Sequence, residues 1–275
     1  MIIAILIILG LAFGSFINAF VWRVHEQDKK KSKFKKAELS IIKGRSMCTD
    51  CGHVLGWKDL IPVVSFIILK GKCRYCKKPV SLHYVLVELL TALLFATSYI
   101  FWPHQLGAAA QIGVYGAFLG FLTIAIALSL SDIKWMILPT RLVYWLGLFA
   151  VLFVALSSVD QASFMPIISG LLGSIGFGGF FYILYQLSKG KWIGGGDVRL
   201  GFVLGLILGW QGSIIGLTAA TYLALAVVLV LLFMGKYHKK MRVPFGPFLL
   251  LGAYFALLWG QAIIDWYLKV SGLAV

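Results

Sequence analysis

The stretch "KWIGGGDVRLGFVLGLILGWQGSIIGLTAATYLALAVVLVLLF", residues 191–233, decides how the chain is threaded. After Arg199 it carries no charge, and it is far longer than the roughly 20 apolar residues that cross a hydrocarbon core about 30 Å thick. Read as two crossings, 198–210 and 212–234, it has a visibly short first half. The flanking charge selects this reading. A single crossing would throw the basic cluster "KYHKK" at 236–240 to the face opposite the other Lys/Arg clusters, whereas two crossings return it to them, as the positive-inside rule requires.

Outward from there, apolar runs recur along nearly the whole chain of 275 residues, which is 60% hydrophobic with a mean hydropathy of +0.93. Period-two alternation is absent, which excludes a membrane barrel. The expectation is an all-α polytopic membrane protein of about eight transmembrane helices, at 1–22, 84–102, 107–131, 137–157, 163–187, 198–210, 212–234 and 244–268. Residues 1–22 lack a basic leader region and an A-x-A-like cleavage site, so they read as a retained span. Trp22, Trp102, Trp135, Trp192, Trp210 and Trp266 fall near span ends, where amphipathic rings anchor to the interface.

The formal charge of +15 is unevenly placed: 15 of the 25 Lys and Arg residues lie between Arg23 and His83, against five acids. That assigns the segment to the cytoplasmic side. In a loop tethered to a membrane the basic block reads as a topology signal and a contact for anionic lipids in the bilayer rather than as a nucleic-acid site, so no nucleic-acid partner is expected. The loop also holds all four cysteines, Cys48 and Cys51 in one C-x-x-C pair and Cys73 and Cys76 in another. Two such knuckles supply four thiolates for a tetrahedral zinc shell. Disulfides are the alternative, disfavoured in the cytoplasm, and a redox C-x-x-C would need no matched partner. Zinc would fold a loop too small to hold a core of its own, giving a cytoplasmic zinc-binding loop. Within it, "LIPVVSFIIL" at 60–69 is apolar but too short to cross.

Outside the loop only Glu88, Asp132, Asp160, Asp197 and Asp265 are acidic. Asp160 and Asp265 fall at the outer face, while Asp132 ends the third span and Asp197 begins the sixth, both on the cytoplasmic side. Two carboxylates brought close in a partly dehydrated site cannot both ionise easily, so one retains a proton. The ionised partner can take a proton from an attacking water while the other polarises a peptide carbonyl, which is aspartyl protease chemistry. Gly194, Gly195 and Gly196 would let a substrate strand approach the backbone. Each aspartate also has a plainer reading, as a helix cap or as a partner of Lys134 or Arg199. Glu88 reads as a first-turn helix residue or a contact of the zinc loop. Asn18 and Ser15 share a helix face in "GSFIN", where Gly10 and Gly14 also form a G-x-x-x-G packing pattern. Pro244, Gly246 and Pro247 in "VPFGPF" give the last span a non-helical start that could bring backbone groups to the site.

Taken together, "GSFINAFVWR" (14–23), the paired C-x-x-C motifs, "VELLTA" (87–92), Asp132, "GGGDVRLG" (194–201) and "VPFGPFLLLGA" (243–253) resemble the prepilin leader peptidases, of the G-x-G-D aspartyl protease group. The resemblance implies an intramembrane-type aspartic endopeptidase that removes the basic leader from prepilins and pseudopilins at the cytoplasmic face of the bacterial inner membrane. Asp132 and Asp197 match the catalytic pair. It further implies N-methylation of the new N-terminus with S-adenosylmethionine, an activity that goes with the tetracysteine loop. The expected division is a first helix at 1–22, a zinc-binding methyltransferase part at 23–83 and a protease domain at 84–275. One departure stands out: where the family commonly has a proline followed by an acid, this chain has Pro139 followed by Thr140. The rival readings are an ion-coupled transporter gated by the zinc loop and a membrane-anchored docking protein.

Overall fold

Helices form wherever the apolar runs predict them, because a backbone in hydrocarbon must satisfy its own hydrogen bonds. The computed structural model describes residues 1–29, 34–35, 38–41, 44–103, 106–236 and 243–272. Lys30, Lys31, Lys33, Lys36, Lys43, Lys239, Lys240 and Arg242, all counted in the charge argument, lie outside the described residues.

The chain divides into two compact units, Met1–Ile100 and Phe101–Val275. The first holds α1 (Ile2–Asp28), a 3₁₀ turn (Trp57–Asp59), the short α2 (Val64–Ile68) and α3 (His83–Ile100). α1 and α3 pack with almost no separation at the glycine pattern. A Cβ on Gly10 would sit 2.5 Å from the Ala92 Cα, and one on Gly14 would sit 2.6 Å from the Glu88 Cα. Such backbone contact is the packing that small residues permit between membrane helices.

The second unit holds α4 (Ala109–Trp135), α5 (Thr140–Asp160), α6 (Met165–Gly173), a π-helical turn (Ser174–Gly178), α7 (Gly179–Ser188), α8 (Gly195–Phe233) and α9 (Gly246–Val270). α6, the π turn and α7 run on as one span of 24 residues. α4 is the central helix, with 61% of its apolar window buried against 11% for α8. Phe118, Phe121, Ala127 and Leu128 of α4 and Leu249 and Ala253 of α9 form much of this core. Apolar side chains left exposed, such as Ile8, Ile214 and Phe233, suit a lipid solvent.

Among the described residues, seven helices are long and apolar enough to cross a membrane. The spans expected at 198–210 and 212–234 are joined in α8, whose 39 residues would reach roughly 58 Å if straight. They are not continuous: Gly209 has φ 69° and ψ 178°, which interrupts the helix within one residue of the expected boundary. No loop separates the halves, so the eight expected spans appear as seven helices, one of them broken.

Candidate active site and metal site

Asp132 lies in the last turn of α4, which stops because Met136 turns left-handed (φ 53°) and returns its N–H to the Asp132 carbonyl at 2.8 Å. The Ser131 hydroxyl donates to the Ile137 carbonyl at 2.8 Å and holds the chain that leaves. The Asp132 side chain, 6% exposed, accepts the Gly246 N–H at 3.1 Å. That amide is one of the donors that α9 leaves unpaired at its start, so the carboxylate meets the positive end of a helix. Pro247 follows at the second helical position, where the missing N–H costs nothing. Of "VPFGPF", the Gly246 amide is the backbone group that bonds Asp132.

Asp197 is the third residue of α8, after the N-cap Gly194, and a Cβ on Gly194 would lie 3.5 Å from its Oδ2. The carboxylate thus sits in the first turn, at the positive end of the helix. Its pairing with Arg199 does not occur: the guanidinium Nε donates to the Gly195 carbonyl at 3.1 Å, and Nη1 donates to the Thr140 hydroxyl. Thr140, the position that departs from the family pattern, therefore ties the start of α5 to the start of α8. Lys134 rests its ammonium over the Trp135 ring at 5.6 Å.

One side chain links the surroundings of Asp132 and Asp197. Leu138 wedges between their supports, since a Cβ on Gly196 would lie 3.1 Å from the Leu138 Cβ and one on Gly246 would lie 3.5 Å from its Cδ2. Three helix ends converge here, and two of them are N-termini that favour negative charge. An acid pair in such a place can hold a water and an amide carbonyl between proton donor and proton acceptor.

In the other unit the four cysteine sulfurs lie within 4.8 Å of one another, and those of Cys48 and Cys76 are 3.9 Å apart. Four thiolates at 2.3 Å around a tetrahedral zinc would be separated by about 3.8 Å, so the cluster could hold that ion. The two knuckles repeat one geometry. Cys48 N–H bonds the His53 carbonyl and Cys73 N–H bonds the Lys78 carbonyl, both at 2.9 Å, and Gly52 and Lys77 take positive φ after each second cysteine. Burial pushes the Cys48 thiol up to about 11. Cys73, despite burial, is drawn down to about 7 by the N–H groups of Cys76 and Tyr75. Asp59 clasps the loop by accepting from Arg74 Nε at 2.6 Å and the Tyr75 hydroxyl at 3.2 Å, and Lys78 reaches Asp50 at 3.1 Å.

The same unit buries Asn18 and Glu88. Glu88 lies in the second turn of α3, not the first, and its carboxylate accepts the Val63 N–H at 2.8 Å, with the Ser15 hydroxyl beside it. The reading of Glu88 as a contact of the zinc loop fits, because Val63 stands between the two cysteine pairs. Val63, Leu138 and the Thr140–Arg199 link carried no sequence signal; each becomes visible only when distant segments meet.

A multi-pass membrane protein with paired aspartates at converging helix ends and a four-cysteine loop is the class that fold and site define. Residues 8–102 match the bacterial peptidase A24 N-terminal domain and residues 117–233 match the type IV leader peptidase family. A prepilin leader peptidase/N-methyltransferase of Pseudomonas aeruginosa is 31% identical over 97% of this chain and 93% of its own. Relatives of the same description are 31% identical in Bacillus subtilis (98% of this chain, 99% of that one) and 32% identical in Burkholderia pseudomallei (98% and 88%). No solved structure matches. The chain belongs to the type IV leader peptidase family, which removes support from the transporter reading.

Proposed function

We propose that this protein is an aspartic endopeptidase that removes the basic leader from prepilins or pseudopilins and then N-methylates the amine it exposes. The observation that carries the peptidase reading is the burial of Asp132 against the Gly246 amide, with Leu138 packed between Gly246 and the Gly196 that precedes Asp197. Its end-to-end likeness to relatives of that description supports both activities. One aspartate, ionised, takes a proton from water as the water oxygen bonds to the scissile carbonyl carbon. The other donates to the carbonyl oxygen, and the C–N bond then breaks as the leaving nitrogen gains a proton.

The substrate is a single-span protein whose basic leader stays cytoplasmic and whose apolar segment lies in the bilayer. The excess of Lys and Arg in residues 23–83 supports a cytoplasmic position for the loop and for both aspartates in a bacterial inner membrane, with anionic lipids against the basic face. Structural zinc on Cys48, Cys51, Cys73 and Cys76 would hold the loop that, with the first helix at 1–22, serves methylation, the protease part being 84–275. The methyl group would come from S-adenosylmethionine, whose sulfonium carbon is the electrophile that an amine attacks. Gly194, Gly195, Gly196, Pro244 and Pro247 would shape the backbone around the aspartates.

Purified protein incubated with a prepilin tests this. Asp132→Asn and Asp197→Asn should each lower cleavage by about 10²-fold or more while the variants still fold. Normal cleavage by either variant would remove that residue from the dyad.

A further inference from the structure

Three features of the α1–α3 pair meet at one point. Asn18 is 4% exposed, and its Nδ2 donates to two carbonyls, those of Gly14 at 3.2 Å and Tyr84 at 3.0 Å. Because both partners are acceptors, the amide cannot be turned over. Its Oδ1 is left buried with no donor among the described residues, a desolvation cost that a bound N–H donor would relieve. Glu88, 7% exposed, accepts the Val63 N–H, has the neutral Ser15 hydroxyl beside it and pairs with no cation among the described residues. Buried carboxylates ordinarily sit with a cation.

The third feature is the backbone that supplies the Val63 donor. Val63 has φ 61° and ψ −51°, and the Val64 N–H reaches the Pro62 carbonyl at 2.5 Å. This is the strained, rare form of the γ-turn, with a β-branched residue at its centre, where positive φ is least tolerated. Such strain persists where the surroundings over-determine it and gathers at functional sites. Here it aims one amide at Glu88.

Asn18 and Glu88 are neighbours by construction. Asn18 bonds the carbonyls of Tyr84, one turn before Glu88 on α3, and of Gly14, where a Cβ would lie 2.6 Å from the Glu88 Cα. The cluster therefore offers a carboxylate, an amide oxygen and a hydroxyl oxygen, an acceptor-rich set whose complement is a group with several N–H donors and positive charge.

Resting on the reading that this chain methylates the amine exposed by cleavage, we propose that Glu88, Ser15 and Asn18 receive that primary ammonium and that Glu88 takes its proton. An N–H bond breaks and an O–H bond forms on the carboxylate, leaving a neutral amine with a free lone pair. The nitrogen then bonds to the methyl carbon of a sulfonium donor as the carbon–sulfur bond breaks, its electron pair leaving with sulfur. Neutralising the ion pair in a buried site also removes the desolvation cost of two charges.

The test uses the full-length protein in bilayer nanodiscs with a prepilin and S-adenosylmethionine. Mass spectrometry reads the share of cleaved product that carries a methyl group. Glu88→Gln should lower that share's rate of formation by about 10²-fold, and Glu88→Asp should restore part of it. An unchanged share overturns the proposal, whereas a wild-type protein that cleaves nothing overturns the peptidase reading instead. A second measurement needs no turnover: wild-type protein is labelled with a hydrophobic carbodiimide and Glu88 is followed by peptide mapping. A peptide matching the new N-terminus should protect Glu88 when its amine is free and not when it is acetylated. Equal protection by both peptides, or none by either, rules the amine pocket out.

Discussion

Asp132 is defined as much by Gly246 as by its own position. The α9 amide meets the carboxylate at 3.1 Å, and a Cβ on Gly246 would fall 2.6 Å from Oδ2, well inside contact distance. Gly246→Ala must therefore either push the carboxylate aside or shift the start of α9. Since misplacement by about 1 Å can cost as much as 10²-fold in rate, cleavage should fall at least about tenfold, with a smaller effect on the melting temperature. Parallel measurement of cleavage and unfolding checks this, and a Gly246→Ala protein that cleaves normally would break the link between this amide and the chemistry. At this scale the aspartates themselves were legible, because an intramembrane carboxylate is costly enough to stand out and the charge pattern placed both on one face. What holds them was not. The Gly246 contact joins residues 114 apart, and an amide donor leaves no mark in a sequence beyond the absence of a side chain.

Among the elements, α8 carries the least conventional geometry. Gly209 combines φ 69° with ψ 178°, a region open almost only to glycine, and a Cβ there would meet the Ser169 Oγ at 2.4 Å. The break lets the Ser213 hydroxyl bond the Gly209 carbonyl at 2.6 Å and sets Trp210 beside Ser169. Gly209→Ala should destabilise the protein by about 1–3 kcal/mol through backbone strain alone, seen as a lower unfolding temperature in detergent. An unshifted transition would mean that the backbone relaxes to ordinary helix at no cost. Span positions were readable to within a few residues because lipid imposes a uniform demand for apolar length. The joining of 198–210 to 212–234 was not, since a one-residue break lacks the polar turn residues that announce a loop. The γ-turn at Val63 was equally hidden: "IPVV" has no glycine to mark the positive φ, which the Glu88 contact supports instead.

Across the whole molecule the candidate groups fall in two units. Both aspartates lie in the unit Phe101–Val275, while the cysteine cluster and Glu88 lie in Met1–Ile100. Among its described residues the loop has two isolated bridges, a 3₁₀ turn and a five-residue helix, too little buried core to fold unaided; a metal on the four cysteines would add stability to that of the Asp59 clasp. Removing the metal should accordingly loosen the loop, the Val63 turn within it and hence the donor on Glu88, without touching the helix ends that hold Asp132 and Asp197. Cys48→Ser combined with Cys73→Ser should abolish stoichiometric zinc. The methylated share of cleaved product should drop about tenfold or more, the scale on which supporting contacts of a site act, while cleavage continues. Metal analysis with mass spectrometry of the product tests both halves. Full zinc retention would defeat the tetrathiolate site, and a parallel loss of cleavage would mean that the aspartates need the loop for their own arrangement. The asymmetry between the activities is the discriminating result, because general unfolding would remove both at once and a purely structural loop would spare both.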